Sequence, residues 1–257
     1  MKKFHFIFDK TKKAKNLEKK FLKLYKNYSA KKSDYIIVGG GDGFMLHVLK
    51  KYSIYKKPFY GINCGSYGFL LNKFKTIKLE NDLKKTITII LKPIEITKIN
   101  KKKVKIIAIN EVSLFRQSRQ TVKLKIEVDN KAIINNLIGD GVMVATPAGS
   151  TAYNLSVGGP ILSLENKKIA ITAISPFRPR RWKGKIIQNN SKIKIYNYDI
   201  KKRPVALAAD NLEIRNIKNV SIRTSKNIKI YLLFNKKNSL HKRIKIEQKI
   251  KQREKKF

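Results

Sequence analysis

The chain is poor in several residue types that define common protein classes. Its 257 residues include one cysteine, Cys64, which excludes an internal disulfide and leaves no CxxC pair for metal or thiol chemistry. Long apolar runs are missing. No stretch approaches the roughly eighteen apolar residues of a membrane-spanning helix. In "MKKFHFIFDKTKKAKN" the apolar run ends at Asp9, too short for the core of a signal peptide. These absences read together as a cytosolic protein in a reducing compartment, with no membrane partner.

Acidic residues are scarce as well. Seventeen Asp and Glu stand against 59 Lys and Arg, a formal charge of +42. Such a field attracts polyanions, nucleic acids and nucleotides among them. A basic nucleic-acid-binding protein is therefore one reading. The other is a solvated surface filled with lysine, isoleucine and asparagine by low-GC codon bias. No aromatic-interleaved platform and no zinc-finger spacing points to sequence-specific contact with RNA or DNA.

The chain has two textures. In the first third "FHFIF" reads as a strand, residues 12–28 as a helix with Leu17, Phe21, Leu24 and Tyr25 on one face, and "DYIIVGG" as a buried strand. A helix over 44–52 and a strand in "PFYGIN" follow. This alternation predicts parallel strands with crossover helices, a Rossmann-like α/β domain. Beyond about Pro93, period-two and β-branched runs succeed one another, from "VKIIAIN" to "NIKIYLLF", with Asp129-Asn130 and Asp210-Asn211 as turn sites. They predict an all-β sandwich. The expected domains are 1–95 and 96–234, with 235–257 a helix packing back on the first domain or a frayed end.

Glycine is sparse, thirteen in all, yet four crowd one aspartate in "IIVGGGDGFMLHVLKK", residues 36–51. A strand running through glycines into a helix presents backbone N–H groups to an anion. Neither GxxxxGK[ST] nor GxGxxG is present. Asp42 is then either a helix cap or an acid that takes a proton from an attacking hydroxyl. A second cluster, "IGDGVMVATPAGSTAYNLSVGGPIL" (residues 138–162), combines another GDG with a Pro-Ala-Gly turn and hydroxylated residues. It reads as a ligand-lining segment or as a polar loop between strands, with Ser150, Thr151, Tyr153, Asn154 and Ser156 offering contacts. Asn110-Glu111 ends an apolar strand, where an amide and a carboxylate suit two ribose hydroxyls.

GGDG, then NE, then "DGVMVATPAGSTAYNLSVGGPIL", in this order, resemble the bacterial NAD kinases; "AINEVSLFRQ", "SPFRPRRWKG" and "KRPVALAAD" resemble one branch of them. The long block is specific. GGDG alone is shared with diacylglycerol and sphingosine kinases, so a lipid kinase is a further alternative. The resemblance implies a fold of the NAD kinase/diacylglycerol kinase type and transfer of phosphate from ATP, with a divalent metal such as Mg2+, to the 2′-hydroxyl of the adenosine ribose of NAD. It implies that NAD binds across the domain junction and that the protein is a homodimer or homotetramer.

By the same resemblance Asp42 is the catalytic base, beside Gly43. Asn110 and Glu111 hold the nucleoside. Asp140 reaches the nicotinamide end, with a neighbouring subunit, and Asp210 makes a polar NAD contact. Ala148, Thr151, Ala152, Tyr153, Asn154, Leu155 and Ser156 line the pocket, Tyr153 stacking on a flat ring. His47 either faces the site or is an ordinary surface residue. His5 and His241 read as structural or exposed. Phe44 and Ala148 stand where the family carries threonine. Arg178, Arg180 and Arg181 beside Trp182 form a phosphate site or an exposed, subunit-facing strap.

Overall fold

The computed structural model describes residues 2–65, 68–74, 78–99 and 103–235. The chain divides into two compact units, Met1–Leu91 with Lys229–Phe257, and Lys92–Ile228. In the first, the strands run in the order Phe4–Phe8, Tyr35–Gly40, Phe59–Asn63, Ile230–Asn235 and Thr86–Leu91, with Asn72–Lys73 also paired to Phe59–Asn63. All pairings are parallel except that of Ile230–Asn235 with Thr86–Leu91. Helices Lys12–Leu22, Asp42–Tyr52 and Leu79–Lys84 complete the α/β arrangement.

Two sequence expectations change here. The helix read over 12–28 stops at Leu22. Beyond it Asn27 accepts a hydrogen bond from the Phe6 N–H (3.0 Å) and the Tyr28 N–H donates to the Phe4 carbonyl (2.9 Å). Those bonds draw the chain alongside the first strand instead of continuing the helix. The run "NIKIYLLF" reads as a sandwich strand, but its strand Ile230–Asn235 lies inside the first unit's sheet. It is buried at five of six positions. A strand covered on both faces shows a nearly unbroken apolar run, which its sequence shares with sandwich strands.

An aromatic core holds this sheet to its first helix. Phe4, Phe6, Phe8 and Phe21 are buried together, the rings of Phe6 and Phe21 stacking at 5.6 Å. His5 has a structural place, its Nδ1–H donating to the Tyr28 carbonyl at 2.6 Å.

The second unit has two antiparallel six-stranded sheets. One orders Lys131–Gly139, Val122–Val128, Ile193–Asn197, Asn219–Thr224, Ile94–Ile99 and Lys103–Ala108. The other orders Gly184–Gln188, Lys168–Ile174, Gly141–Ala145, Glu111–Arg116, Val205–Ala209 and Leu212–Ile214. Alternate residues point inward. Leu124, Ile126, Ile193, Ile195, Val220 and Ile222 meet Val112, Leu114, Val142, Val144, Val205 and Leu207 in one buried cluster, a β-sandwich core. The hairpin turn Asp129-Asn130 has both residues at positive φ (50° and 64°), as a type I′ turn requires. The tail from 236 onward, including His241, lies outside the described residues.

In the first unit Asn72 is fully buried. Its Nδ2 donates to the carbonyls of Gly61 (3.1 Å) and Leu233 (2.9 Å), and its Oδ1 accepts from the Asn235 N–H (2.9 Å). Asn72→Leu leaves these backbone groups without that partner in an apolar interior. The variant is expected to lose about 2–4 kcal/mol in denaturant unfolding; a loss below about 0.5 kcal/mol counts against the amide as the stitch between these strands.

Candidate functional site

The four glycines around Asp42 are of two kinds. A Cβ at Gly39 would overlap the ring of Phe8, and one at Gly40 would lie 2.7 Å from Phe44 Cδ1. These two glycines make room for aromatic rings. At Gly41 and Gly43 a Cβ would meet nothing within 4 Å, so backbone is open at the start of the helix. Phe44 thus has a packing partner in Gly40, where the family carries a hydroxyl.

Asp42 is not the helix cap. The cap is Gly41, which has no side chain to bond, and Asp42 is the first helical residue. Its carboxylate accepts the N–H groups of Phe69 (2.7 Å) and Leu70 (3.0 Å). As a sequence this "GFLL" segment carries no functional signal. His47 is exposed and five residues further on, about 140° around the helix from Asp42. The fold places the two on different faces, because the residue one turn beyond Asp42 is Leu46.

In the second unit the turn at 109–111 is held from two sides. Asp210 accepts the N–H groups of Ile109 (2.8 Å), Asn110 (2.9 Å) and Glu111 (3.3 Å). Thr146 donates its hydroxyl to the Ile109 carbonyl (2.7 Å) and its N–H to the Asn110 carbonyl (2.9 Å). The Gly149 backbone lies so close that a Cβ there would strike the Asn110 carbonyl and come within 2.7 Å of Glu111 Oε2. In the sequence Thr146 carries no signal of its own, and Gly149 reads only as part of the Pro-Ala-Gly turn.

This clasp leaves two buried acceptors, Asn110 Oδ1 and Glu111 Oε2, with no hydrogen-bond partner among the described residues. Each such group costs about 1–3 kcal/mol. Two in neighbouring residues mark a place for ligand donors. Burial, and then the negative charge of Asp210, push the Glu111 carboxyl up to about 7.

The 148–156 segment divides by exposure. Ala148, Thr151 and Asn154 are buried, Ala152 and Leu155 partly so, and Tyr153 and Ser156 are exposed. Asn154 was expected to offer a ligand contact, but its amide faces inward. It accepts from Thr172 Oγ1 (2.7 Å) and donates to the Pro160 carbonyl (3.0 Å), fixing the Gly-Gly-Pro turn. Ser150 is likewise engaged, with Leu162 and Pro147.

Tyr153 lines a cavity of about 430 Å³ with Ser113, Phe115, Arg116, Ala208 and Arg215. Asp140 is ion-paired to Arg116 at 2.5 Å. The second GDG serves packing. A Cβ at Gly139 would come within 2.8 Å of the Ser175 carbonyl, and one at Gly141 would overlap that of Leu114. In the arginine strap, Trp182 packs against the sandwich core, while Arg178 and Arg180 lie over the half-exposed ring of Phe177.

These features define a class: an α/β unit with a mostly parallel sheet, an open glycine turn and an acid at a helix start, and a β-sandwich with a polar cradle. Residues 109–234 match the family model of the ATP-NAD kinase C-terminal domain. The chain is 41% identical over 246 residues to an NAD kinase of Brucella suis biovar 1 (strain 1330), covering 95% of this chain and 96% of that protein. It is 43% identical over 228 residues to an NAD kinase of Rickettsia rickettsii (strain Sheila Smith), covering 88% and 89%. The chain belongs to the NAD kinase family.

Two solved structures share its fold. Yeast NADH kinase complexed with NADH aligns with a TM-score of 0.79 at 19% identity, over 95% of this chain and 86% of that one. An NAD kinase from Archaeoglobus fulgidus in complex with ATP aligns with a TM-score of 0.74 at 22% identity, over 91% and 94%.

The position of Glu111 has a consequence for stability. Its folded-state pKa lies above its ordinary value of 4.5. Between about 4.5 and 7 the folded protein therefore holds a proton that the unfolded chain releases, and stability falls as pH rises through this window. Glu111→Gln removes the effect. The stability of the variant relative to the parent is expected to grow between pH 5 and pH 8 by about 1–3 kcal/mol in denaturant unfolding without ligand. A difference that does not change with pH contradicts a raised Glu111 pKa.

Proposed function

We propose that the protein transfers the γ-phosphoryl group of ATP to the 2′-hydroxyl of the adenosine ribose of NAD, forming NADP. The observation that carries this reading is the pair of buried acceptors, Asn110 Oδ1 and Glu111 Oε2, which suit donors of the adenosine moiety other than the 2′-hydroxyl, such as the ribose 3′-hydroxyl and the adenine amino group. Family membership supports it over the nucleic-acid and lipid-kinase alternatives.

In the second unit Asn110 and Glu111 grip the adenosine. Tyr153, exposed at the edge of its cavity, stacks on a flat ring. Asp140, oriented by Arg116, serves the nicotinamide end of the dinucleotide. Ala148, Thr151, Ala152, Leu155 and Ser156 shape the pocket, and Asn154 supports it from behind.

In the first unit Gly41 and Gly43 leave the helix start clear, so phosphate oxygens can approach its N–H groups. Asp42 accepts the proton of the 2′-hydroxyl as that oxygen bonds to the γ-phosphorus and the bond from phosphorus to the β-γ bridging oxygen breaks, releasing ADP. The Phe69 and Leu70 amides hold the carboxylate in orientation.

Among the described residues no three His, Cys, Asp or Glu side chains gather as a metal-ligand set. We propose that magnesium enters as part of the MgATP substrate. A homodimer or homotetramer, as the family resemblance implies, and a reducing cytoplasm, which fits a single buried cysteine, complete the proposal.

Incubation with MgATP and NAD is expected to yield NADP and ADP in equal amounts. Asp42→Asn is expected to lower turnover by about a hundredfold or more while leaving NAD affinity within about threefold. Near-normal turnover removes Asp42 from the role of base. Steeply salt-dependent binding to duplex DNA, without NADP formation, favours the nucleic-acid reading instead.

A further inference from the structure

Asp210 opens the two-residue turn between Val205–Ala209 and Leu212–Ile214, with φ of 51°, a left-handed backbone that Asp tolerates better than most residues. From there its carboxylate reaches a distant part of the chain. Oδ2 accepts the Ile109 N–H and Oδ1 accepts those of Asn110 and Glu111, while the Asp210 N–H donates to the Glu111 carbonyl at 3.1 Å. N–H groups of consecutive residues converging on an anion fix a local backbone conformation, and charge makes each bond stronger than a neutral one. The sequence resemblance gave Asp210 a direct contact with NAD. Its geometry gives it a different task.

We propose that Asp210 is a positioning residue: by gathering the N–H groups of Ile109, Asn110 and Glu111 it aims the orphaned acceptors of Asn110 and Glu111 at the ligand, and it acts through them instead of touching the nucleotide. The identity of that ligand rests on the proposed function; the clasp does not. Among the described residues the charged group that faces Glu111 is Asp210, while its chain neighbour Asn110 and, from the other packed elements, Thr146 and Gly149 are uncharged. The same carboxylate that orients Glu111 therefore also influences when it ionises.

Asp210→Asn keeps the shape and removes the charge. Calorimetric titration of the full chain with NAD, in the absence of ATP, is expected to show affinity lowered about tenfold or more, with ATP affinity unchanged. Combined with Glu111→Gln, the second substitution is expected to add less than about threefold to the loss from the first, because both act through one group. Additive losses mean that Asp210 meets the nucleotide itself, and unchanged NAD affinity in the single variant removes its role; either result overturns the proposal.

The pH midpoint of NAD binding supplies a readout that general loosening of the fold does not move. It is expected to shift downward in Asp210→Asn and to stay in place in Asp210→Glu, which retains the charge and serves if the asparagine variant does not fold. A midpoint that stays put in Asp210→Asn overturns the electrostatic part. Hydrogen exchange at the amides of Ile109, Asn110 and Glu111 in the ligand-free protein is expected to accelerate in both variants. Unchanged exchange refutes the clasp even if the wild-type protein makes NADP, and absence of NADP refutes the proposed function while leaving the clasp standing.

Discussion

The closure of one carboxylate on three consecutive backbone amides is the contact on which the second unit's polar cradle depends. The Asp210 bonds to residues 109–111 hold the start of the Glu111–Arg116 strand against the end of the Val205–Ala209 strand, two neighbours in one sheet. Thr146 grips the same turn from the far side, and Gly149 closes over it. With its backbone groups satisfied, the turn has a fixed course, and this sets the direction in which the Asn110 and Glu111 side chains leave it. Two of those side-chain acceptors stay buried and unpaired. The cradle is thus maintained by bonds around it that outweigh the cost of leaving its centre unfulfilled.

The first unit uses the same device at another place. Asp42 also accepts N–H groups from a remote segment, at Phe69 and Leu70. A carboxylate at the first position of a helix is favoured by the helix dipole, and here it gains two further backbone donors. Such a group is rigid in direction. For the role of base proposed for Asp42, fixed direction counts for more than freedom to sample rotamers.

The sequence carried the fold class well because period-two and period-3.6 patterns separate cleanly around residue 93. It misassigned Ile230–Asn235 because an apolar run looks alike in a sandwich and in a parallel sheet, and the return to the first unit is a long-range pairing that no local pattern encodes. Of the candidate site, Asp42, Asn110 and Glu111 were legible as chemistry-bearing residues at element ends. Their partners were not. Phe69 and Leu70 contribute main-chain donors, which every non-proline residue possesses, so their side chains give no hint. Asn154 was misread for the converse reason: its amide could serve a ligand or a turn, and only three-dimensional placement shows that it serves the turn. The two GDG motifs make the same point. One presents open glycines and the other glycines pressed against carbonyls, from the same three letters.

The charge balance can be understood in these terms. A chain with 59 basic and 17 acidic residues is dominated by its lysines in any count, yet the carboxylates are the informative minority. Asp42 and Asp210 bind backbone amides, Asp140 pairs with Arg116, and Glu95 is held below its ordinary range by the Ser225 hydroxyl and then by Arg223. Exposed lysines change solubility and encounter rates while leaving the fold indifferent to their exact number. A carboxylate that gathers several donors tolerates no such exchange, since its removal strands each of them. Composition drift toward lysine can therefore proceed across the surface without reaching the turn at 109–111. For this reason the net charge says little about what the protein binds, while a few of its acids say a great deal.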